Sequence, residues 1–335
     1  MARLMPARLT AILLLVLLGL ALPIYYFSME KPVSRAAGEV VLEIPRGTGT
    51  MAVLRLLEDR GLIRNQWAAL VYLKIFRPGK ILQAGEYEFD GSPSPADVLR
   101  KILRGEVVLH SVTFPEGRST FEYAGILERA GVCPAREFLS AARETARAHP
   151  FRTAPDTLEG FLYPDTYRFP KAFPARNVIR ALLGRFRDVH ASREEELQRR
   201  ALDPLTWVTL ASIVEREAKV AAEKPVIAGV FLNRLSIGMP LQADPTVLYA
   251  LERRGTPVDI LTRADLRLDS RYNTYRYAGL PPGPIGNPGR EALDAVLHPQ
   301  IHRYLYFVAR PDGTHAFSAT LDAHVRNVLR SRRAD

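Results

Sequence analysis

The chain has 335 residues, which is enough for one large domain or two modest ones. Hydrophobic residues make up 47% of it and charged residues 24%, so a sizeable core can form and global disorder is excluded. The single cysteine, Cys133, excludes an intramolecular disulfide and a cysteine-based zinc site. The net charge of +10 is spread over interleaved acidic and basic residues without a DNA- or RNA-binding motif. A membrane-tethered nucleic-acid binder is therefore the weakest functional hypothesis.

The first predicted element is a membrane anchor at residues 9–27, which read LTAILLLVLLGLALPIYYF and contain no charge. A helix of about twenty apolar residues crosses a bilayer. Arg3 and Arg8 precede this segment, so the positive-inside rule predicts a cytoplasmic tail at residues 1–8 and an extracytoplasmic remainder. Tyr25–Phe27 fit an interfacial aromatic belt. We therefore expect a single-pass protein of the inner (cytoplasmic) membrane with a periplasmic or extracytoplasmic domain; a cleaved signal peptide is the alternative.

A polar linker at residues 28–39 is predicted to lead into a small α+β module at residues 40–106. Its predicted elements alternate in the pattern of short strands and capped helices. They are a strand from Val40, a helix at Met51–Arg60, an apolar run at Leu70–Ile75, a strand at Gln83–Phe89 and a helix at Ser94–Arg104.

Residues 107–335 are predicted to form a larger, mixed α+β domain, so the chain as a whole is assigned to the α+β class. A Pro- and Gly-rich run at Gly279–Gly289 is expected to be an irregular loop. The other predicted elements are a strand at Val107–Phe114, a buried strand at Tyr304–Ala309, and helices at Asn177–Arg200 and Leu205–Ala222. Asp203 at the N-cap and Pro204 at the first helical position predict the start of the second of these helices.

The helix at Leu205–Ala222 carries two carboxylates with different predicted environments. Glu217 follows an apolar ridge at helical spacing, which predicts that it faces the core; the ridge is Leu210, Ile213 and Val214. Glu215 points about 200° away from Glu217, so the two cannot form the close carboxylate pair of a retaining glycosidase. A carboxyl group on an apolar face has a raised pKa and can act as a general acid. Solvation of Glu217, or pairing with a neighbouring Arg or Lys, is the alternative.

Several blocks of sequence resemble the YceG-like family, the endolytic murein transglycosylases. The resemblance covers nearly the whole chain, and the blocks occur in the family's order. They are EGFLYPDTY at 159–167, LASIVEREAK at 210–219 with the following KPVIAGVFLNRLSIGMPLQADPTVLYAL, YNTYRYAGLPPGPIGNPG at 272–289, and YLYFVA with GTHAFSAT at 304–320. The resemblance also extends to the anchor and implies a LysM-like fold for residues 40–106.

The resemblance implies that Glu217 is the catalytic carboxylate and that residues 107–335 form the transglycosylase domain. The implied reaction cleaves the β-1,4 bond between N-acetylmuramic acid and N-acetylglucosamine within a glycan strand. It leaves a 1,6-anhydromuramyl end and terminates elongation of nascent strands. Because the substrate supplies its own nucleophile, one carboxylate is enough for this reaction.

Polar and aromatic residues in the passage after the helix and in two more distant segments are candidates for sugar binding, because amides and hydroxyls can hydrogen-bond N-acetyl sugars and aromatic rings can pack on sugar faces. The candidates are Asn233, Gln242, Asp244, Thr246, Tyr272, Asn273, Tyr275, Glu159 and Asp165. Asp244 and Thr246 could equally cap the following helix. Glu159 is the substitute acid should Glu217 fail.

No metal and no cofactor are predicted. Pro299 interrupts the pair His298 and His302, which together with His315 and His324 are expected to be structural or cleft-lining. The predicted partners are peptidoglycan glycan strands and the cytoplasmic membrane, and the resemblance adds the peptidoglycan synthases. Two other functions stay open, a non-catalytic peptidoglycan-binding scaffold and a hydrolase that admits water.

Overall fold

A computed structural model describes residues 19–21, 23–33, 38–147 and 157–334. These residues form helices and short paired strands, which confirms the α+β class. They divide into two compact units. One unit comprises the described residues up to His110 together with Pro170–Ala172, and the other comprises the described residues of 111–169 and 173–334.

The N-terminal unit has the order β-α-α-β-α. Strands β1 and β2 pair antiparallel with Val40 opposite Phe89 and Ile44 opposite Gly85. Their inward side chains and the apolar faces of the three helices form one core, in which Leu42 and Tyr87 are fully buried. The elements are β1 (Val40–Ile44), α1 (Thr50–Asp59), α2 (Gln66–Phe76), β2 (Gly85–Phe89) and α3 (Pro95–Arg104).

No helix within the described residues is long and apolar enough to cross a membrane. This finding overturns the predicted transmembrane helix at residues 9–27, and with it the predicted single-pass location in the cytoplasmic membrane. Residues 9–18 and 22 of the predicted span, and the tail at 1–8, lie outside the described part of the chain.

Of the three aromatic residues predicted to form an interfacial belt, Tyr25 packs on protein, whereas Tyr26 and Phe27 are 61% and 54% exposed. The Tyr25 ring lies 5.5 Å from Phe76 and 6.4 Å from Tyr72, measured between ring centroids. Tyr26–Glu30 form one π-helical turn, which buries Met29 in the core of the N-terminal unit. The first part of the predicted linker is thus attached to this unit.

The larger unit contains the remaining elements, in which two short sheets are surrounded by helices. Strand β3 pairs with β4, and β5 pairs antiparallel with β6, with Phe307 opposite Phe317. The elements are β3 (His110–Thr113), α4 (Thr120–Arg129), α5 (Ala135–Arg147), β4 (Thr166–Phe169), α6 (Ala175–Ala191), α7 (Glu194–Arg199), α8 (Pro204–Glu217), α9 (Lys224–Ser236), α10 (Asp244–Arg253), α11 (Arg290–Leu297), β5 (Tyr306–Ala309), β6 (His315–Ser318) and α12 (Leu321–Ala334).

Helix α8 is the central element of the larger unit. Asp203 caps it by accepting hydrogen bonds from Leu205 N and Thr206 N, and Pro204 occupies its first turn, as the sequence predicts. Every residue from Trp207 to Val214 is buried, so the helix lies in the core on all sides rather than presenting one apolar face. It ends at Glu217, five residues earlier than predicted, because Ala218 is extended with φ −76° and ψ 116°.

Two further predicted elements differ from the structure. The long helix predicted at Asn177–Arg200 is divided into α6 and α7 by a break at Ser192 and Arg193. The strand predicted as buried at Tyr304–Ala309 is half-buried and begins at Tyr306. The Gly279–Gly289 run is a loop, as predicted.

Candidate active site

Helix α8 delivers Glu217 to an open cleft of about 390 Å³ in the larger unit. The cleft is bounded by the end of α8, the start of α10, the loop before α11, the β5–β6 hairpin and the start of α12. Its lining residues are Glu217, Arg234, Leu241, Gln242, Asp244, Tyr275, Tyr306, Phe307, Ala309, His315, Leu321 and His324. Four of the residues predicted from the sequence are thereby brought together: Glu217, Gln242, Asp244 and Tyr275.

Glu217 has the properties of a protonated carboxylic acid. Its side chain is half-buried at the cleft wall, and no described residue forms a hydrogen bond with its carboxyl group. Removal from water raises the pKa of Glu217 to about 8, and the negative charge of Asp244 acts in the same direction. The charge of Arg234 acts in the opposite direction, without cancelling the effect. The acid form therefore predominates at neutral pH, while the group stays accessible from the cleft.

Asp244 and Tyr275 form a hydrogen-bonded pair at the same cleft. The Tyr275 hydroxyl donates to Asp244 Oδ1 at 2.5 Å. Burial, followed by the hydrogen bond to Asp244, raises the pKa of Tyr275 well above its ordinary value. Asp244 is the first residue of α10, whose N-cap position is occupied by Ala243, so Asp244 does not cap that helix. Its carboxylate is thus directed to Tyr275 and the cleft.

Gln242 is held at the cleft in a strained backbone conformation. Its φ is 48°, in the left-handed region that non-glycine residues enter at a cost of about 1–2 kcal/mol. Its backbone N–H donates to Thr274 O at 3.2 Å, and its side chain is exposed. Residues in sparsely populated backbone conformations cluster at functional sites, which fits a role for Gln242 in the cleft.

Arg234 closes the floor of the cleft. It is 7% exposed and donates from Nε to Leu305 O at 2.6 Å and from Nη1 to Leu241 O at 2.6 Å. Its guanidinium group also lies 5.4 Å from the centre of the Tyr306 ring. These contacts join helix α9 to strand β5 and fix a positive charge near Glu217.

Asn233 and Thr246 lie outside the cleft, and their side chains form hydrogen bonds with backbone carbonyl groups. The Asn233 amide nitrogen donates to His302 O at 2.9 Å and to Tyr304 O at 3.0 Å. Thr246 is completely buried, and its hydroxyl donates to Ala243 O at 2.6 Å. Both polar groups are therefore used to hold the chain around the cleft rather than presented to it.

Tyr272 and Asn273 are buried beside the cleft. Tyr272 packs edge-to-face on Tyr249 at 5.1 Å between ring centroids. The Asn273 amide donates to Leu266 O and Leu268 O, and its oxygen accepts from Tyr275 N at 3.0 Å. Asn273 therefore shapes the loop that presents Tyr275.

Glu159 lies in a separate, buried polar network, and Asp165 lies on the surface. Burial raises the pKa of Glu159 to about 8, although the carboxyl group accepts from Thr120 N, the Tyr249 hydroxyl and the Asn287 amide. Asp165 is exposed and pairs with Arg185 at 3.1 Å. Neither residue lines the cleft around Glu217.

The Gly279–Gly289 loop is part of the interior around Glu159. Asn287 accepts hydrogen bonds from Gly160 N and Leu162 N, and a Cβ atom on Gly286 would lie 2.5 Å from Gly117 O. Glycine is thus required at 286 by the close approach of two backbone segments.

Glu215 forms an ion pair with Lys224, although it is only two residues from Glu217. It binds Lys224 Nζ at 2.9 Å and accepts from Gly289 N at 3.0 Å. Both charged side chains are nearly buried, with 9% and 6% of their surface exposed. Glu215 therefore stabilises the junction of helices α8, α9 and α11, and is unavailable to a substrate.

The cleft also contains residues that the sequence analysis did not propose as substrate contacts. Arg234 and Tyr306 lie inside two of the sequence blocks quoted above but were not singled out as contacts, and Leu321 lies outside those blocks. His315 and His324 were expected to be structural or cleft-lining. The His324 ring stacks on Tyr306 at 5.3 Å between centroids. Only the packing of β5, β6 and α12 beside α8 brings these side chains to Glu217, and no local pattern encodes that packing.

Comparisons with known proteins find similarity over most of the chain. The sequence model of the YceG-like family matches residues 42–330. An endolytic murein transglycosylase of Bacillus subtilis is 30% identical over 318 residues, covering 90% of this chain and 87% of that protein. One from Streptococcus pneumoniae is 28% identical, and the chain spans 58% of its length. A crystal structure of a yceG-like protein from Listeria monocytogenes superposes with a TM-score of 0.60 at 32% identity, covering 87% of this chain and 99% of that one.

Proposed function

The chain belongs to the YceG-like family, and on that basis we propose that it is an endolytic murein transglycosylase acting on peptidoglycan glycan strands. The observation that carries the proposal is Glu217, a cleft carboxyl group without a hydrogen-bond partner among the described residues and with a pKa of about 8. Such a group is protonated before the substrate arrives, which a general acid has to be.

In the first step Glu217 transfers its proton to the glycosidic oxygen between N-acetylmuramic acid and N-acetylglucosamine. The C1–O bond breaks as that oxygen takes the bonding electrons, and C1 of the muramyl residue becomes electron-poor. In the second step the C6 hydroxyl of the same residue attacks C1, and the Glu217 carboxylate accepts the hydroxyl proton. The acid is regenerated and no water is consumed, so the product carries a 1,6-anhydromuramyl end.

The other residues of the cleft are proposed to bind the glycan. Gln242 presents an exposed amide, and the Asp244–Tyr275 pair presents a carboxylate with one oxygen not used in the bond to Tyr275. Arg234 offers a fixed positive charge, which favours the carboxylate form of Glu217 once the proton has left. We do not assign glycan binding to the predicted contacts that lie outside the cleft, which are Asn233, Thr246, Tyr272, Asn273, Glu159 and Asp165.

Hydrolysis is the second candidate function, because the structure brings a second carboxylate to the cleft. The sequence indicated no carboxylate pair, since Glu215 and Glu217 diverge, but Asp244 lies close enough to raise the pKa of Glu217. A second carboxylate could activate a water molecule, as in inverting glycosidases. The bond from Tyr275 to Asp244 favours the non-hydrolytic reaction, because it occupies one of the oxygens that would hold the water.

The remaining assignments stay predictions. They include the LysM-like nature of residues 40–106, the domain division after residue 106, the termination of nascent strands and the peptidoglycan synthases as partners.

The function is tested by incubating isolated sacculi with the purified protein and its Glu217→Gln variant. We expect the wild type to release fragments with anhydromuramyl ends and the variant to be at least about a hundredfold slower. Glu195→Gln is the matched control, since that side chain is 93% exposed and its ion pair with Arg199 lies on the surface. A Glu217→Gln variant with wild-type activity would refute the proposal, and an inactive wild type that still binds sacculi would support the scaffold function.

A further inference from the structure

A histidine–carboxylate pair lies at the same cleft as Glu217 but has no part in the reaction as described above. His315 Nδ1 lies 2.6 Å from Glu223 Oε2, and the backbone N–H of His315 donates to Glu223 Oε1 at 2.9 Å. His315 begins strand β6, and Glu223 immediately precedes helix α9. Two bonds from one carboxylate therefore fix both the position and the rotation of the imidazole ring.

The bond to Glu223 determines which ring nitrogen carries the proton. A carboxylate only accepts hydrogen bonds, so Nδ1 has to be the donor. In the neutral ring the proton then resides on Nδ1, and Nε2 is left as an acceptor.

Nε2 of His315 is accessible from the cleft. No described residue forms a hydrogen bond with Nε2. Among the described residues, the side-chain atoms that are both buried and without a partner are Gln66 Oε1, Thr120 Oγ1 and His324 Nδ1. Nε2 of His315 is not one of these buried atoms. It therefore contacts solvent, although the side chain is only 5% exposed, and His315 lines the cleft that contains Glu217. Phe307 and Phe317 hold the ring from the sides, with centroids at 5.4 and 6.2 Å.

We propose that His315 is a substrate-binding residue whose Nε2 accepts a hydrogen bond from a hydroxyl or acetamido N–H of the glycan, and that Glu223 is the positioning residue that places the proton of the neutral ring on Nδ1. This inference rests on the proposed function for the identity of the ligand. The ligand group is a neutral donor, since an acceptor nitrogen between two aromatic rings does not suit an anion.

Glu223→Gln is the sharpest test, because it preserves the shape of the pair and reverses its polarity. The introduced amide can accept from the His315 backbone with its oxygen and donate to Nδ1 with its nitrogen. The proton then moves to Nε2, which becomes a donor where the glycan requires an acceptor. We expect kcat/KM on sacculi to fall about 10- to 100-fold with the melting temperature nearly unchanged, because one hydrogen bond is exchanged for an unfavourable contact.

Two substitutions of His315 separate binding from a structural role. Gln places a polar group near the position of Nε2, whereas Asn places one near Nδ1 and so keeps only the partner of Glu223. We therefore expect His315→Gln to retain more activity than His315→Asn. A purely structural His315 would give the reverse order, since only Asn would preserve the bond to Glu223, and that result would overturn the inference.

Nitrogen-15 NMR of the neutral imidazole, recorded in alkaline solution, reports the tautomer directly. We expect an unprotonated Nε2 in the full-length wild type, a protonated Nε2 in Glu223→Gln, and a shift of the Nε2 signal when an N-acetylglucosamine oligomer is added to Glu217→Gln. A protonated Nε2 in the wild type, or wild-type activity in Glu223→Gln despite the exchanged tautomer, would overturn the inference. If the wild type releases no anhydromuramyl ends, the proposed function fails; a shifted Nε2 signal would then support saccharide binding by His315, and an unshifted signal would refute it.

Discussion

Glu215 and Glu217 occupy the last turn of one helix, and their removal should change stability in opposite directions. Glu217 is a desolvated carboxyl group without a described hydrogen-bond partner, whereas Glu215 binds the nearly buried Lys224 at 2.9 Å. Replacing Glu217 by Gln removes a group that resists ionisation. Replacing Glu215 by Gln removes half of an ion pair.

The sign of the Glu217 effect depends on pH. Its pKa is raised from the ordinary 4.5 to about 8 in the folded protein, so the folded state binds the proton more tightly than the unfolded state. The stabilisation that this proton provides is complete below about pH 4.5 and is lost as the pH rises to about 8. Glu217→Gln carries no ionisable group at this position, so it escapes that loss.

The magnitude follows from the size of the shift. Each pKa unit corresponds to about 1.4 kcal/mol, which sets an upper limit of about 5 kcal/mol for a shift from 4.5 to about 8. Because Glu217 borders the open cleft, solvent screening reduces the effect, and we expect about 1–3 kcal/mol. Glu217→Gln should therefore be more stable than the wild type by about 1–3 kcal/mol near pH 9, and nearly equal to it near pH 4.5.

Glu215→Gln should lose about 2–4 kcal/mol, because it leaves a buried ammonium group with weaker partners. Lys224 retains only Glu291 at 3.3 Å and Glu116 at 3.8 Å, and both of those side chains are about half-exposed. Urea unfolding of the wild type and the two variants at both pH values measures the differences. Glu159, whose pKa is also raised, contributes equally to the stability of all three proteins, so its contribution does not affect the differences between them. A Glu217→Gln variant that is less stable than the wild type near pH 9, or a difference that does not change with pH, would refute the reasoning.

Three further outcomes are expected. Asp244→Asn removes a negative charge that raises the pKa of Glu217, so the alkaline limb of the kcat/KM profile, near pH 8 in the wild type, should move to lower pH; an unmoved limb would contradict the coupling. Thr246→Val removes the buried hydrogen bonds of the Thr246 hydroxyl to Ala243 O and Thr274, so the free energy of unfolding should fall by about 1–3 kcal/mol while KM is unchanged. A raised KM at unchanged stability would indicate that Thr246 contacts the substrate. Gln242→Gly relieves the positive φ, so stability by urea unfolding should be unchanged or higher by up to about 1 kcal/mol while activity falls; full activity would exclude a binding role for the Gln242 amide.

The sequence predicts the helices and strands well where local signals are strong. The caps of α3 and α8, formed by Ser94 and Asp203, define helix starts that the structure reproduces. The predicted membrane anchor at residues 9–27 was wrong. Apolar composition alone predicted a membrane span, but no helix within the described residues is long and apolar enough to cross a membrane, and at the described end of the segment Tyr25 packs on Tyr72 and Phe76.

The candidate site is only partly encoded locally. Periodicity selected Glu217 over Glu215, but the helix proves to be buried on all sides, and Glu217 reaches the cleft because the helix ends there. Polar residues in loops could not be sorted in advance. Asn233 bonds backbone carbonyls about seventy positions away, and the pair of His315 and Glu223 joins residues 92 positions apart. Such partners are determined by tertiary packing, which no short motif records.

The most direct test of the central claim is cleavage of purified glycan strands in water enriched in oxygen-18, followed by mass spectrometry of the new ends. If Glu217 transfers its proton to the leaving oxygen and then receives the proton of the C6 hydroxyl, the muramyl ends contain no oxygen-18 and are lighter than hydrolysed ends by one water. Incorporation of one oxygen-18 atom at each new reducing end would contradict the account and assign the cleft to a hydrolase.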